Sequence, residues 1–257
     1  MSSVIMLGTY GGRLDDKSTT SLLVSDTIAI DAGNILSPLG YEAKKINHIF
    51  LTHSHIDHIV DLPFLIDAFF VDRSEPLNIY GLKETIESLK DHIFNDRIWP
   101  DFRAILLPRT GEPSIILRDI KPNMEYLIDG VKLTPFATNH TVASVGYVID
   151  KSGKKIMFTS DTSKCADIWN ILNNDPSISS IVIEVSFPSR LEKLAIDSGH
   201  LTPKMLNEEL ENLLRDDVAI YINHFKPDFI ETLKQELSSF ERTKKAIILN
   251  DGMLILL

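Results

Sequence analysis

The sequence predicts an α/β protein of two sheets packed face to face, with helices on the outside. Three observations carry this expectation. The N-terminal part is a run of short apolar strands parted by Gly, Asp and Ser turns, and the C-terminal part alternates strand-like with helix-like segments. Several apolar strands in both parts also end on a histidine or aspartate, which is where chemistry is placed when sheets scaffold a site.

Taken in order, strands are predicted at Val4–Leu7, Ser21–Val24, Thr27–Asp31 and His48–Thr52. A helix is predicted over Asp61–Phe70, a strand at Leu77–Tyr80 and a helix from Lys83 to about Phe94. The stretch Asn95–Gly111 reads as irregular, broken by Trp99-Pro100-Asp101-Phe102 and Pro108. Strands resume at Ile115–Leu117, Val131–Ala137, Gly146–Ile149 and Lys155–Thr159. The rest alternates: helix Thr162–Leu172, strand Ile181–Val185, helix Pro203–Leu214, strand Val218–Ile222, helix Pro227–Phe240 and strand Ala246–Leu249. Met253–Leu257 is apolar enough to be an interior strand. No linker, repeat or low-complexity segment divides the chain, so residues 1–257 are expected to form one domain.

Composition narrows the function classes. With 257 residues and 44% apolar content the chain can bury a full core. No apolar run approaches the roughly 18 residues of a membrane span, and Met1–Gly8 lacks the basic, long-apolar and cleavage regions of a signal peptide. The single cysteine, Cys165, excludes an internal disulfide framework and fits a reducing, cytoplasmic compartment. A net charge of −10, with Lys and Arg scattered apart from pairs such as Lys44-Lys45, disfavours nucleic acid as a partner. A small anion drawn to bound metal escapes that objection.

The densest chemistry lies in Thr52-His53-Ser54-His55-Ile56-Asp57-His58, where four ligand-type side chains fall within six residues at a strand-to-helix junction. His53 and His55, two apart in extended backbone, point to one side and can grip one ion. Asp57 and His58 lie around the turn and can hold a second ion. The mixture of imidazole and carboxylate suits Zn²⁺, with Mn²⁺ or Fe²⁺ as alternatives. A closed two-metal site needs further ligands from later strand ends, and His140, Asp161 and His224 follow apolar strands. His200 lies in the loop Ser198-Gly199-His200-Leu201-Thr202-Pro203, ahead of a helix.

This order of residues resembles the metallo-β-lactamase-fold hydrolases over nearly the whole chain. Within them it looks most like the class II cyclic-nucleotide phosphodiesterases, through His53-Ser54-His55-Ile56-Asp57-His58, Ile98-Trp99-Pro100-Asp101-Phe102, Glu184-Val185-Ser186-Phe187-Pro188, Gly199-His200-Leu201-Thr202-Pro203 and Ile222-Asn223-His224-Phe225-Lys226-Pro227. Two positions depart from the pattern: Ile56 stands where Leu is preferred, and Asp61 and Asp67 make the segment after His58 more acidic. The resemblance implies an αββα sandwich of two mixed sheets. It implies His53, His55 and His140 on one metal, Asp57, His58 and His224 on the other, and Asp161 bridging. It also matches Asp31 to a buried aspartate that orients the metal loop, against the plainer reading of a turn before Gly33.

The implied activity is opening of 3′,5′-cyclic nucleotides such as cAMP or cGMP to 5′-monophosphates by a hydroxide shared between two divalent ions. Asp57 and Asp161 offset part of the ions' charge and leave the site positive toward a phosphodiester. His200 is the expected proton donor to the leaving oxygen, held by Glu184; as plain structure they would be a loop histidine and a surface carboxylate. Trp99 and Phe102 could stack a base or serve the core. Cys165, on the helix after Asp161, is expected in the core, and His48 and His92 to be structural or solvated. The family resemblance also fits a homodimer. Rival activities are tRNA 3′-processing by a ribonuclease Z-like endonuclease and acyl or thioester hydrolysis. The acidic charge and the lack of a basic arm oppose the first, and the His200 loop opposes the second.

Overall fold

The computed structural model describes residues 3–257, so Met1 and Ser2 of the segment read above for signal character lie outside the described residues. The first sheet contains β1 (Ser3–Gly8), β2 (Ser21–Leu23), β3 (Ile28–Ile30), β4 (His48–Phe50), β5 (Leu77–Gly81), β6 (Ile115–Asp119) and β14 (Leu254–Leu256), in the order β14-β1-β2-β3-β4-β5-β6. The second contains β7 (Tyr126–Ile128), β8 (Val131–Ala137), β9 (Val145–Lys151), β10 (Lys154–Phe158), β11 (Ile178–Glu184), β12 (Ala219–Asn223) and β13 (Ile247–Ile248), in the order β13-β12-β11-β10-β9-β8-β7. Both sheets follow one plan. Antiparallel pairings, β14-β1-β2-β3 and β7-β8-β9-β10, give way to parallel ones through β6 and β13.

Parallel neighbours need crossovers, and helices supply them. Around the first sheet lie α1 (Leu36–Leu39), α2 (Ile56–Ile59), α3 (Leu62–Phe69) and α4 (Lys83–His92). Around the second lie α5 (Ala166–Asn174), α6 (Glu192–Asp197), α7 (Pro203–Glu209) and α8 (Ile230–Ser239). Three apolar layers then follow from the two-residue period of a strand. On β4, Ile49 faces α3 and α4 while Phe50 faces the other sheet. On β10, Ile156 and Phe158 face the first sheet while Met157 meets α5 and α7. Phe50 and Tyr147 touch edge to face across the sheet interface, ring centroids 5.9 Å apart. This is the predicted αββα sandwich of two mixed sheets.

Local departures have physical causes. The helix expected from Thr162 begins at Ala166, because the Thr162 amide is held by Glu184 Oε1 (3.1 Å) and the Ser163 amide by the Asn139 carbonyl (2.7 Å). Cys165 is therefore the half-buried residue that precedes α5, outside both the helix and the fully buried core. The C-terminal strand is not interior: β14 pairs only with β1, and Leu254 and Leu256 are exposed on the sheet edge. Strand β7 and helices α1, α2 and α6 were not anticipated; each is six residues or shorter, too short for a periodic signal. His48 is half-buried on Tyr80, and His92 is exposed. Among the described residues, no helix is long and apolar enough to cross a membrane.

The site follows from the sheets. Asp31, the His53–His58 segment, Asp161, Glu184 and His224 stand at or just past the C-terminal ends of β3, β4, β10, β11 and β12, and His140 lies in the β8–β9 turn beside them. The two sheets are tied there by Val145 N–H donating to the Thr52 carbonyl, 3.0 Å. Asp31, Ser160 and His224 each leave their strand at positive φ, 58°, 56° and 67°. Such backbone costs on the order of 1–3 kcal/mol per residue and concentrates at functional sites.

Candidate metal centre

The loop after β4 is set by Asp31. Its Oδ1 accepts from the Thr52 amide (2.8 Å), and its Oδ2 accepts from Thr52 Oγ1 (2.8 Å) and faces His58 Nδ1 (2.7 Å). His58 thereby presents Nε2 inward. The one-turn helix α2 lifts Asp57 and His58 onto the same side. Close packing makes this possible: a Cβ on Gly33 would lie 2.1 Å from the Asp57 carbonyl oxygen, and one on Gly11 would lie 2.7 Å from His224 Cε1. Only glycine fits at either position.

Three groups of ligand atoms result, each within 4.8 Å of one another: Asp161, His200 and His224 form one, and the other two are His53, His55, His140 and Asp161, and Asp57, His58 and His224. Asp161 faces both of the latter. Its Oδ2 lies 3.8 Å from His53 Nε2 and 3.8 Å from His140 Nε2, while its Oδ1 lies 3.4 Å from His58 Nε2 and 3.1 Å from His224 Nε2. Asp57 Oδ2 stands 3.7 Å from His224 Nε2 and 4.0 Å from His58 Nε2. The outer ring nitrogens are spoken for. His53 Nδ1 meets Thr52 Oγ1 (3.0 Å), and His140 Nδ1 donates to the Gly199 carbonyl (2.8 Å). His140 Nε2 and His55 Nδ1 converge at 3.1 Å.

The donor set fits metal on an observation of the protein itself. His53 Nε2, His58 Nε2, His224 Nε2 and Asp161 Oδ1 are buried without a hydrogen-bond partner, and they point at one another. Such groups cost about 1–3 kcal/mol each when left unsatisfied, and cations would satisfy all four. Electrostatics agree. Burial and neighbouring imidazoles hold His53 well below the usual histidine range, and burial likewise depresses His55 and His140, leaving neutral rings with lone pairs to give. Burial opposes charge on His58, Asp57 and Asp161 too, yet it is outweighed. Asp161 and Asp31 lift His58, while the adjacent histidines keep Asp57 and Asp161 ionised. Positive charge is favoured beside the Asp161 and Asp31 carboxylates. Nitrogen and carboxylate donors of this kind suit Zn²⁺, Mn²⁺ or Fe²⁺.

Beside the centre, His200 stacks on His224 with ring centroids 5.3 Å apart, and its Nδ1 donates to Glu184 Oε1 at 2.6 Å. Burial would push this imidazole down, but the Glu184 carboxylate raises its affinity for a proton above the ordinary value. Glu184 is completely buried at the end of β11, as a charge that has partners can be. The structure thus brings all nine predicted site residues to one place. It places Phe102 in the core against Phe70, and Trp99 half-buried, edge-on to Phe64. The acidic Asp61 has a structural task, accepting from the Ile35 and Leu36 amides at the start of α1 and pairing with Arg13. Sequence reasoning missed Gly11 and Ser186. The dipeptide Gly11-Gly12 and the Ser after Glu184-Val185 were the available signals.

The chain is similar to known proteins in sequence and in fold. The chain is 25% identical to a probable 3′,5′-cyclic-nucleotide phosphodiesterase of Yersinia pestis, over 88% of this chain and 78% of that protein. It is 33% identical to ribonuclease Z of Archaeoglobus fulgidus over 43% of this chain and 34% of that protein. Two other curated relatives, a yeast 3′,5′-cyclic-nucleotide phosphodiesterase and ribonuclease Z of Pyrococcus abyssi, are matched over about half of their length. In structure it superposes on unliganded yeast PDE1 with a TM-score of 0.79 at 20% identity, and on the metallo-β-lactamase-fold protein YhfI of Bacillus subtilis with a TM-score of 0.77 at 19% identity. Each superposition covers 99% of both chains. The fold is that of the metallo-β-lactamases, and with the model of the class-II cAMP phosphodiesterases matching residues 18–235, the chain belongs to that family.

Proposed function

We propose that this protein is a dinuclear metal-dependent phosphodiesterase that opens 3′,5′-cyclic nucleotides, cAMP or cGMP, to 5′-monophosphates. The observation that carries the reading is Asp161, whose two carboxylate oxygens face two separate ligand groups, with a buried histidine–glutamate pair alongside. His53, His55, His140 and Asp161 would hold one ion, Asp57, His58, His224 and Asp161 the other, with zinc the best match. Two divalent cations there would supply Lewis-acid stabilisation of charge growing at phosphorus and lower the pKa of water at the site.

The chain's own groups do the rest. Asp57 and Asp161 offset only part of the metal charge, so the centre stays complementary to a phosphodiester that gains negative charge toward its transition state. When the P–O3′ bond breaks, the leaving ribose oxygen needs a proton. His200 gives one from Nε2, while Nδ1–H stays on Glu184 Oε1, which fixes the ring and stabilises its charged form. Asp57, with 22% of its side chain exposed, is the more open of the two carboxylates, Asp161 being 2% exposed. The same reading takes the chain as one domain, working in a reducing compartment on a small molecule, with a homodimer as the family-like assembly.

Turnover of 3′,5′-cyclic AMP and cyclic GMP by metal-analysed protein tests the reading. The 5′-monophosphate is the expected product; a 3′-monophosphate, or no turnover of either, sinks it. A second reading, tRNA 3′-end processing, draws on the ribonuclease Z relatives. The net charge of −10 opposes it. A precursor tRNA assayed beside the cyclic nucleotides separates the two.

A further inference from the structure

We propose that Ser186 is a positioning residue that joins the His200–Glu184 pair to the metal ligand His224 through one directed chain of hydrogen bonds. The inference rests on the roles given above to His200 and His224 and adds what makes them act together. The Ser186 side chain is completely buried. Its Oγ lies 2.8 Å from Glu184 Oε2 and 2.9 Å from His224 Nδ1.

A hydroxyl has one proton, and an ionised carboxylate only accepts. Ser186 therefore donates to Glu184 Oε2 and accepts from His224 Nδ1–H. The His224 carbonyl, 3.2 Å away, is the more distant acceptor for that proton and leaves the bond from Nδ1 intact. The proton on Nδ1 fixes the tautomer and leaves the lone pair on Nε2, the unpartnered atom aimed at Asp161. On the other side, Glu184 Oε1 accepts from His200 Nδ1 and from the Thr162 amide. Both carboxylate oxygens are committed, so Glu184 cannot rotate away from His200.

The backbone of Ser186 clamps the same two loops. Its amide donates to the Leu201 carbonyl, 3.0 Å, beside His200, and its carbonyl accepts from the Lys226 amide, 3.3 Å, beyond His224. Second-layer partners of a metal-bound histidine are typically worth about 10–100-fold in metal affinity.

The test uses zinc alone as probe on wild-type, Ser186→Ala and Ser186→Thr protein, each checked for an intact backbone amide spectrum. Wild type should show a His224 Nδ1–H resonance protected from solvent exchange. Ser186→Ala should lose that protection and bind one of its zinc ions about tenfold more weakly, and Ser186→Thr should restore both. An alanine variant with the protected proton and unchanged zinc affinity overturns the proposal, as does a threonine variant that restores neither. Neither readout involves a substrate. Wild-type protein that opens no cyclic nucleotide therefore refutes the phosphodiesterase reading, and Ser186 is still decided by these two measurements.

Discussion

The two halves of this protein follow one strand plan yet furnish the centre in opposite ways. The first sheet delivers four candidate ligands from the single segment His53–His58, rooted on Asp31. The second delivers isolated residues, His140, Asp161 and His224, from separate strand ends, with Glu184 and His200 behind them. The first arrangement is mostly local: Thr52 meets His53, a one-turn helix carries Asp57 and His58, and Asp31 holds Thr52 and His58. The second depends on register between distant strands and on positive φ at Ser160 and His224. A centre assembled this way would bind metal only when both halves are folded and docked, which would tie metal affinity to the sheet interface.

The contrast can be broken where the halves meet. Asp161→Asn removes the carboxylate charge both groups share, so metal content should fall in both. Turnover should drop about a thousandfold, the upper range for loss of one element stabilising transition-state charge. Elemental analysis with steady-state kinetics checks this. His200→Ala removes a second-half residue that packs on His224 and His140 but is not itself a predicted ligand. Metal content should stay at the wild-type level while turnover falls about a hundredfold, and unchanged turnover would remove His200 from the reaction. Tyr147→Phe probes the joint itself, since the Tyr147 hydroxyl of the second sheet donates to the Leu51 carbonyl, 2.7 Å, at the root of the ligand loop. Urea unfolding should show a loss of about 1 kcal/mol with kinetics little changed.

The same contrast explains what could be read from the sequence. The His53–His58 segment announces itself, because its ligands are neighbours in the chain as well as in space. Asp161, His200 and His224 could be marked as polar residues at strand ends or in loops, and only the family resemblance assigned their partners. Ser186 stands in the family-like stretch Glu184-Val185-Ser186-Phe187-Pro188, but nothing in the chain order joins it to His224. Its contact with His224 spans 38 residues and exists only because β11 and β12 pair in register. The start of α5 was misplaced for a related reason: apolar spacing favours a helix from Thr162, but the buried Glu184 claims that amide. The C-terminal strand was misjudged because apolar content does not distinguish an edge from a centre. Ile255 is buried, while its neighbours Leu254 and Leu256 face out.

The measurement closest to the heart of this reading is metal content against activity in one preparation. Purified protein should carry about two divalent ions per chain, lose cyclic-nucleotide turnover on chelation and regain it as metal is returned. Full turnover by protein holding less than one ion per chain would contradict it.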